Sequence, residues 1–315
     1  MLRLFGGRLA SFVVTLVASA LVIFLMLEVL PGDPAAVTLG LNAAPEALAA
    51  LRAEMGLDRP APLRFAAWVG GLLTGDLGLS YTYRVPVSQL IGERMAVTAP
   101  LALAAMLLAC AIGVPLGVVA AANHNGPLDL AAMAFAQIGL AIPNFWFGLL
   151  LVLVFAIGLG WLPSGGFPGW QAGFWPGARS LLLPAVALAL PQAAILARLT
   201  RSAMLDALQE DFVRTARAKG LASRTLLYRH ALRNALIPVV TILGLQFSVL
   251  IAGAIIIENV FALPGLGRLV FQSVAQHDLI VVKDLVMLFA ALAILANFAV
   301  DLLYGLIDPR LRRSA

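Results

Sequence analysis

Few side chains in this chain have a type or spacing suited to chemistry. Three histidines, His124, His230 and His277, stand far apart in sequence, so metal chemistry is not expected. Cys110 is the single cysteine and sits in an apolar run. It leaves no intrachain disulfide and no cysteine-based metal site. A phosphate-cradling loop needs G-x-x-x-x-G-K-[ST], so that backbone amides and a lysine surround the phosphates. The two lysines are Lys219 and Lys283, and Lys219 precedes its glycine instead of following one. If ATP drives this protein, another chain binds it. A membrane hydrolase would need a Ser–His or Asp–Asp constellation at mid-depth, or a His–Glu metal site, and the sequence contains none.

What remains is polar and charged residues set against an apolar background. Gln137, Asn144, Gln192, Gln246 and Asn297 fall within apolar runs. Amides there line a water-filled path or make interhelical hydrogen bonds of about 0.6–2 kcal/mol, and both readings stay open. Glu258 and Asp278 fall near the ends of runs, where they would meet a cargo amine or a partner at an outer mouth, or pair with Arg268 or Lys283. Residues 203–233 are strongly basic and water-compatible, between two runs that read as membrane spans. Unpaired charge inside hydrocarbon costs several kcal/mol, so this segment must stand in water.

The elements that position these residues follow from composition. Hydrophobic residues make up 62% of the 315 and charged residues 12%, against roughly 25% charged in a soluble domain. With a mean hydropathy of +0.97, the chain reads as an all-α polytopic membrane protein. Six spans are expected, roughly at 9–30, 98–122, 129–158, 181–202, 234–257 and 284–306. The first apolar run, Leu9 to Leu27, is too long for a cleaved secretory segment and matches the ~20 residues a span needs. Gly244, Ser248 and Ala252 lie four apart, a spacing that allows close helix packing. Pro143, Pro184 and Pro191 predict kinks within spans. Trp161, Trp170 and Trp175 flank a Gly- and Pro-rich loop suited to the headgroup region.

Basic residues set the orientation. A cytosolic N-terminus places Arg3 and Arg8, the arginines of 198–233, and Arg310, Arg312 and Arg313 inside, as the positive-inside rule requires. The net charge of +5 therefore does not call for nucleic acid. Both termini are expected to be cytosolic. Residues 1–30 form the cytosolic N-terminus and first span, and 31–97 an extracytoplasmic region. Residues 98–307 form a five-helix transmembrane domain that includes the hairpin 203–233, and 308–315 a cytosolic tail. Within 31–97, Pro45 to Glu54 predicts a short helix stopped by Gly56, and Pro62 to Leu73 another.

The hairpin splits at Gly220. Asp206, Glu210 and Asp211 come early and Arg217 and Lys219 late, an order that suits the helix macrodipole. Gly220 fits a left-handed helix end, and Ser223 fits the cap of a second helix. Thr215, Ala216 and Ala218 keep one stretch slim enough to enter a partner's groove. The same basic helix also suits an anionic lipid surface. On the residues alone, the two readings are equal.

An ordered set of motifs carries a resemblance over nearly the whole chain. These are Leu30-Pro-Gly-Asp-Pro34, Met55-Gly-Leu-Asp-Arg-Pro60, Gly75-Asp-Leu-Gly-Leu-Ser80, Arg84-Val-Pro-Val87 and Ile142-Pro-Asn-Phe-Trp146. Phe212-Val-Arg-Thr-Ala-Arg-Ala-Lys-Gly220, Arg233-Asn-Ala-Leu-Ile-Pro238, Glu258-Asn-Val-Phe261 and Pro264-Gly-Leu-Gly-Arg-Leu269 follow. The chain resembles the B-type inner-membrane permease subunit of binding-protein-dependent ABC importers for dipeptides, oligopeptides, glutathione and nickel.

The resemblance implies an ABC type I importer transmembrane fold in a bacterial cytoplasmic membrane, moving cargo by alternating access, with peptides favoured over glutathione or nickel. It implies a second homologous permease chain, two ATP-binding subunits or domains that hold ATP and magnesium, and an extracytoplasmic solute-binding protein. This chain itself would bind no cofactor and no metal. The hairpin would be the family's "EAA" loop, which sits in a cleft of the ATPase subunit, carried here by Arg214, Thr215, Ala216, Arg217, Lys219 and Gly220. Aligned on Gly220, Glu-Ala-Ala falls on Arg214, Thr215 and Ala216, so the glutamate is absent, a departure the peptide branch shares. The rival of a different class is a secondary transporter driven by an ion gradient. Such a protein often carries internal repeats and an acidic residue at mid-membrane. Here Glu28, Asp129, Glu258 and Asp301 lie near span ends, and no clear repeat is seen.

Overall fold

The computed structural model describes residues 2–29, 34–39 and 44–307. Leu30 to Asp33 of the first motif and the basic tail with Arg310, Arg312 and Arg313 lie outside them. The helices are α1 (Leu2–Val29), α2 (Pro34–Leu39), α3 (Pro45–Glu54), α4 (Ala61–Thr74), α5 (Val87–Ala122), α6 (Pro127–Ala141) and α7 (Asn144–Leu151). They continue as α8 (Phe174–Gln209), α9 (Asp211–Ala218), α10 (Ser223–Thr225), α11 (Leu232–Val260), α12 (Leu266–Ala275) and α13 (Leu279–Ile307). π-helical turns at Val152–Gly158 and Leu226–Ala231 extend α7 and join α10 to α11. Among the described residues, five helices are long and apolar enough to cross a membrane, and the pair α6–α7 makes a sixth if it is one span.

The expected third span is broken. α6 and α7 meet at an angle of 101°. Ile142, before Pro143, is extended at φ −85° and ψ 122°, because the proline ring crowds a helical conformation in the residue ahead of it. Pro184 and Pro191, by contrast, lie inside an uninterrupted α8. The other spans run longer than their apolar cores. α5 begins at Val87 and α8 ends at Gln209, because intrahelical hydrogen bonding continues into water where hydropathy falls.

The chain divides into two compact units: Ala99–Leu263 with residues from Ala296 on, and Leu2–Thr98 with Pro264–Leu295. The second unit thus joins α1–α4 and the first turns of α5 with α12 and the start of α13.

In the first unit, α6, α7 and α11 pack against α8. Ala109, Ala189, Ala193, Leu196 and Val239 form one buried cluster, and Val118, Ala121, Met204, Ala207, Ala231 and Ala235 another. Small residues set the spacing. A Cβ at Gly113 would lie 2.5 Å from the Ala193 carbonyl oxygen, and one at Gly117 2.6 Å from that of Ala197. Gly244 plays the same part toward α13, where a Cβ would lie 3.3 Å from the Ala296 carbonyl. Its stripe of small residues therefore serves packing. The loop after α7 is tied down by Gly166, whose N–H donates to the Phe261 carbonyl at 2.8 Å. Phe261 itself is fully buried, 3.1 Å from where a Cβ on Gly148 would sit. Trp161 and Trp175 stay exposed, as headgroup contact requires.

In the second unit, Val87, Leu90, Leu266, Leu269, Val281 and Leu285 form one core, and Ala20, Phe24 and Trp68 another. The predicted α3 ends before Gly56 at φ 67°, and α4 ends on Gly75 at φ 80°. The Gly75–Ser80 motif makes a turn that brings Ser80 onto Asp278. The Ser80 hydroxyl donates to Oδ2 at 2.5 Å and the Thr82 N–H at 3.1 Å. Beside it, burial and then the Asp278 charge push the Tyr81 hydroxyl up to about 12.

Candidate functional site

The hairpin between α8 and α11 is built by local rules. Glu210 is extended at φ −67° and ψ 149°, so α8 stops and α9 starts anew. Asp211 stands in the first turn of α9 and Arg217 in its last, complementing the macrodipole. The Thr215 hydroxyl donates to the Asp211 carbonyl at 2.9 Å. At the far end, the Leu221 N–H donates to the Ala216 carbonyl at 3.3 Å and the Gly220 N–H to that of Arg217 at 3.0 Å. This paired pattern, with a left-handed residue after the helix, satisfies the last carbonyls. Gly220 is that residue, at φ 80°. Ser223 does not cap the next helix. It is already the first helical residue, and Ala222 holds the cap position without a side-chain hydrogen bond.

Val213, Ala216 and Leu226 are buried together, with Leu208 against them. The hairpin therefore has its own small core, and Ala216 points into it. Arg214, Thr215, Arg217, Lys219 and Gly220 are exposed. Three apolar side chains are exposed with them: Phe212 at 40%, Leu221 at 39% and Tyr228 at 53%. The surface offered outward is therefore basic with apolar projections.

A cluster that the sequence reading passed over lies at the start of α6. Arg201 of α8 grips Asp129 from Nε at 2.5 Å and Nη2 at 2.7 Å. The Asn125 N–H adds a third bond at 2.9 Å. The His124 Nδ1 lies 3.2 Å from Arg201 Nη2 and 3.4 Å from Asp129 Oδ2. The available signal was an acidic residue in a helix's first turn and an arginine at the edge of a span.

The other candidate residues are scattered. Gln192 and Gln246 are buried, and Gln192 Oε1 and Gln246 Nε2 have no hydrogen-bond partner in this structure. Asn144 is half-buried just after the break, with its Nδ2 3.1 Å from where a Cβ on Gly253 would stand. Gln137 and Asn297 are exposed on their helices. Glu258, in the first unit, and Asp278, in the second, are fully buried. Asp278 is engaged by Ser80 and Thr82, so it presents no surface to a cargo here.

Comparison with known proteins gives the family and the fold. The family described as binding-protein-dependent transport system inner membrane component matches residues 113–313. The N-terminal region of such membrane components matches residues 1–102. A protein of Brucella abortus (strain 2308), named a peptide transport system permease protein, is 42% identical over 305 residues, 97% of each chain. The glutathione transport system permease protein GsiC of Pectobacterium atrosepticum is 41% identical over 312 residues, 99% of each chain. Among solved structures, an inward-facing MetNI methionine ABC transporter covers 70% of this chain and 97% of its own, at 20% identity and a TM-score of 0.57. An amino acid ABC transporter solved with histidines gives a TM-score of 0.52 at 18% identity, covering 71% of this chain and 94% of its own. These two likenesses bear on the fold.

Proposed function

We propose that this chain, which belongs to the binding-protein-dependent transport system inner membrane component family, is one permease subunit of an ATP-driven importer for peptides. It is a multi-pass inner-membrane transport component and not an enzyme. ATP and magnesium would sit on two partner subunits or domains. A second homologous permease chain would complete the membrane path, and an extracytoplasmic binding protein would deliver cargo. The relatives' names support peptides as the cargo class, since glutathione is itself a small peptide.

The observation that carries the coupling role is the hairpin, a short helix folded on its own Val213–Ala216–Leu226 core. Its outward face combines basic side chains with Phe212 and Leu221. Such a knob is rigid enough to transmit force and exposed enough to seat in a cleft. ATP-driven closure of the ATPases would then draw the hairpins together and open the path outward, so that cargo meets alternating access. Both termini and residues 203–233 would face the cytosol, with 31–97 and 159–180 outside.

The discriminating experiment is uptake of a labelled di- or tripeptide into proteoliposomes holding the assembled complex. Uptake should require every subunit and ATP on the cytosolic side. Uptake by this chain alone, driven by a proton or sodium gradient without ATP, would establish the secondary-transporter reading instead.

A further inference from the structure

The second unit holds a cavity of about 850 Å³ that the transport reading does not use. Its walls come from the end of α1, the turn after α3, the length of α4 and the first turn of α13. Four cations line it, Arg52, Arg59, Arg64 and Lys283, against two carboxylates, Glu28 and Asp76. Arg64 is paired with Glu28, and Arg52 reaches Asp58 at 3.4 Å. Asp76 Oδ1 accepts the Gly78 N–H at 3.1 Å. The Lys283 ammonium stands 4.8 Å from the centroid of the Trp68 ring. The neighbouring Asp284 accepts the Trp68 Nε1–H at 2.7 Å. Among the described side chains, no carboxylate forms an ion pair with Arg59 or Lys283. Asp284 and Glu28 lie near Lys283 without pairing with it, so Arg59 and Lys283 can both still meet an incoming anion.

The depth of the cavity says which anion. The apolar run of α1 ends at Leu27, after a length of about 28 Å, close to the hydrocarbon thickness of about 30 Å. Glu28 therefore marks the membrane–water boundary, and Lys283 shares its cavity. Phe24, Leu27 and Ile280 supply an apolar wall there. Val17 and Val13, 7 and 11 residues before Phe24 and so on the same face of α1, are 55% and 48% exposed and continue that apolar surface into the bilayer. An amphiphile fits these walls: phosphate among the cavity's cations, acyl chain along α1.

We propose that this cavity binds an anionic phospholipid, with the phosphodiester held between Arg59 and Lys283. The inference does not depend on the direction of transport or on the cargo.

The test uses the purified full chain in neutral detergent. It is titrated with equal phosphatidylglycerol and phosphatidylcholine, and retained lipid is counted by native mass spectrometry. Phosphatidylglycerol should be retained preferentially. A basic residue near an anionic headgroup contributes about fivefold in affinity, so Arg59→Gln and Lys283→Gln should each weaken retention by about that factor. Lys283→Arg should restore it, and Arg198→Gln, exposed and outside the cavity lining and the hairpin, should leave it unchanged. Inorganic phosphate at millimolar concentration should not displace the lipid. Arg59 is exposed, so its variant tests the site even if Lys283→Gln fails to fold. Equal retention of both lipids, an equal loss in Arg198→Gln, or displacement by phosphate alone would overturn the proposal.

Discussion

Arg201 holds Asp129 by two hydrogen bonds, 2.5 Å from Nε and 2.7 Å from Nη2, and so fastens the start of α6 to α8. α8 then runs on to Gln209, and only Glu210 separates it from α9. The carboxylate is 5% exposed and the guanidinium 24%, so the pair is shielded on one side. The Asn125 N–H and the positive end of α6 favour the same charge.

Removing one partner of a buried pair leaves an uncompensated charge and costs about 3–5 kcal/mol. Asp129→Ala should fall at the low end, because Arg201 keeps some water. The double variant with Arg201→Ala should lose less than the sum of the two singles, by about 0.5–3 kcal/mol. Denaturant unfolding in detergent, completed as a double-mutant cycle, measures this. Purely additive losses would show that the two residues do not support each other.

Glycines on α5 predict opposite signs. At Gly113 a Cβ would lie 2.5 Å from the Ala193 carbonyl, whereas at Gly92 nothing stands within 4 Å. Gly113→Ala should destabilise by about 1–3 kcal/mol through overpacking. Gly92→Ala should stabilise by roughly 0.5–1 kcal/mol, since glycine is costly inside a helix. Thermal unfolding of both variants decides it, and the same sign for both would count against the α5–α8 packing.

These contrasts show what was readable in the residues. α3 could be placed from Pro45 and Gly56 because both act on their own backbone. Span existence was readable because each helix carries its own apolar run. Their lengths were not, since the polar ends of α5 and α8 stay helical in water. Proline gave only half the answer: Pro143 breaks a helix and Pro184 does not. The outcome depends on neighbouring helices, which the local sequence does not encode. α12 is not among the expected elements: Pro264, Gly265 and Gly267 weaken the local helical signal, although Leu266, Leu269 and Ser273 share its buried face. In the hairpin, the left-handed end at Gly220 was legible. The inward turn of Ala216 was not, because it depends on Leu226 across the turn.

Orientation yields a separate expectation. In a Cys110→Ala background, single cysteines at Ala53, Ser164 and Ser223 fall on exposed positions. An impermeant thiol reagent applied to intact spheroplasts should label Ala53→Cys and Ser164→Cys and spare Ser223→Cys. The reverse pattern would invert the proposed topology.

The hairpin separates docking from folding. Ala216 is buried in the hairpin's own core, so Ala216→Trp should overpack it by about 1–3 kcal/mol. Gly220→Val should strain a left-handed residue by about 1–2 kcal/mol. Both variants would disturb coupling by misfolding the knob, whatever it binds. Phe212 and Leu221 are different, because they are already exposed in the folded chain. Phe212→Ala and Leu221→Ala should change the chain's own stability by about 0.5 kcal/mol or less. If their surface seats in an ATPase cleft, each should still weaken ATPase association about tenfold, the 1–2 kcal/mol of a central contact. A hairpin that serves only anionic lipid predicts another ranking. Those two changes would then be mild, and neutralising Arg214, Arg217 and Lys219 together would abolish membrane attraction. Association of the co-expressed ATPase, and peptide-stimulated hydrolysis in reconstituted complexes, resolve the two. Unchanged association in both alanine variants, beside a loss in the charge-neutralised one, would assign the hairpin to the lipid surface.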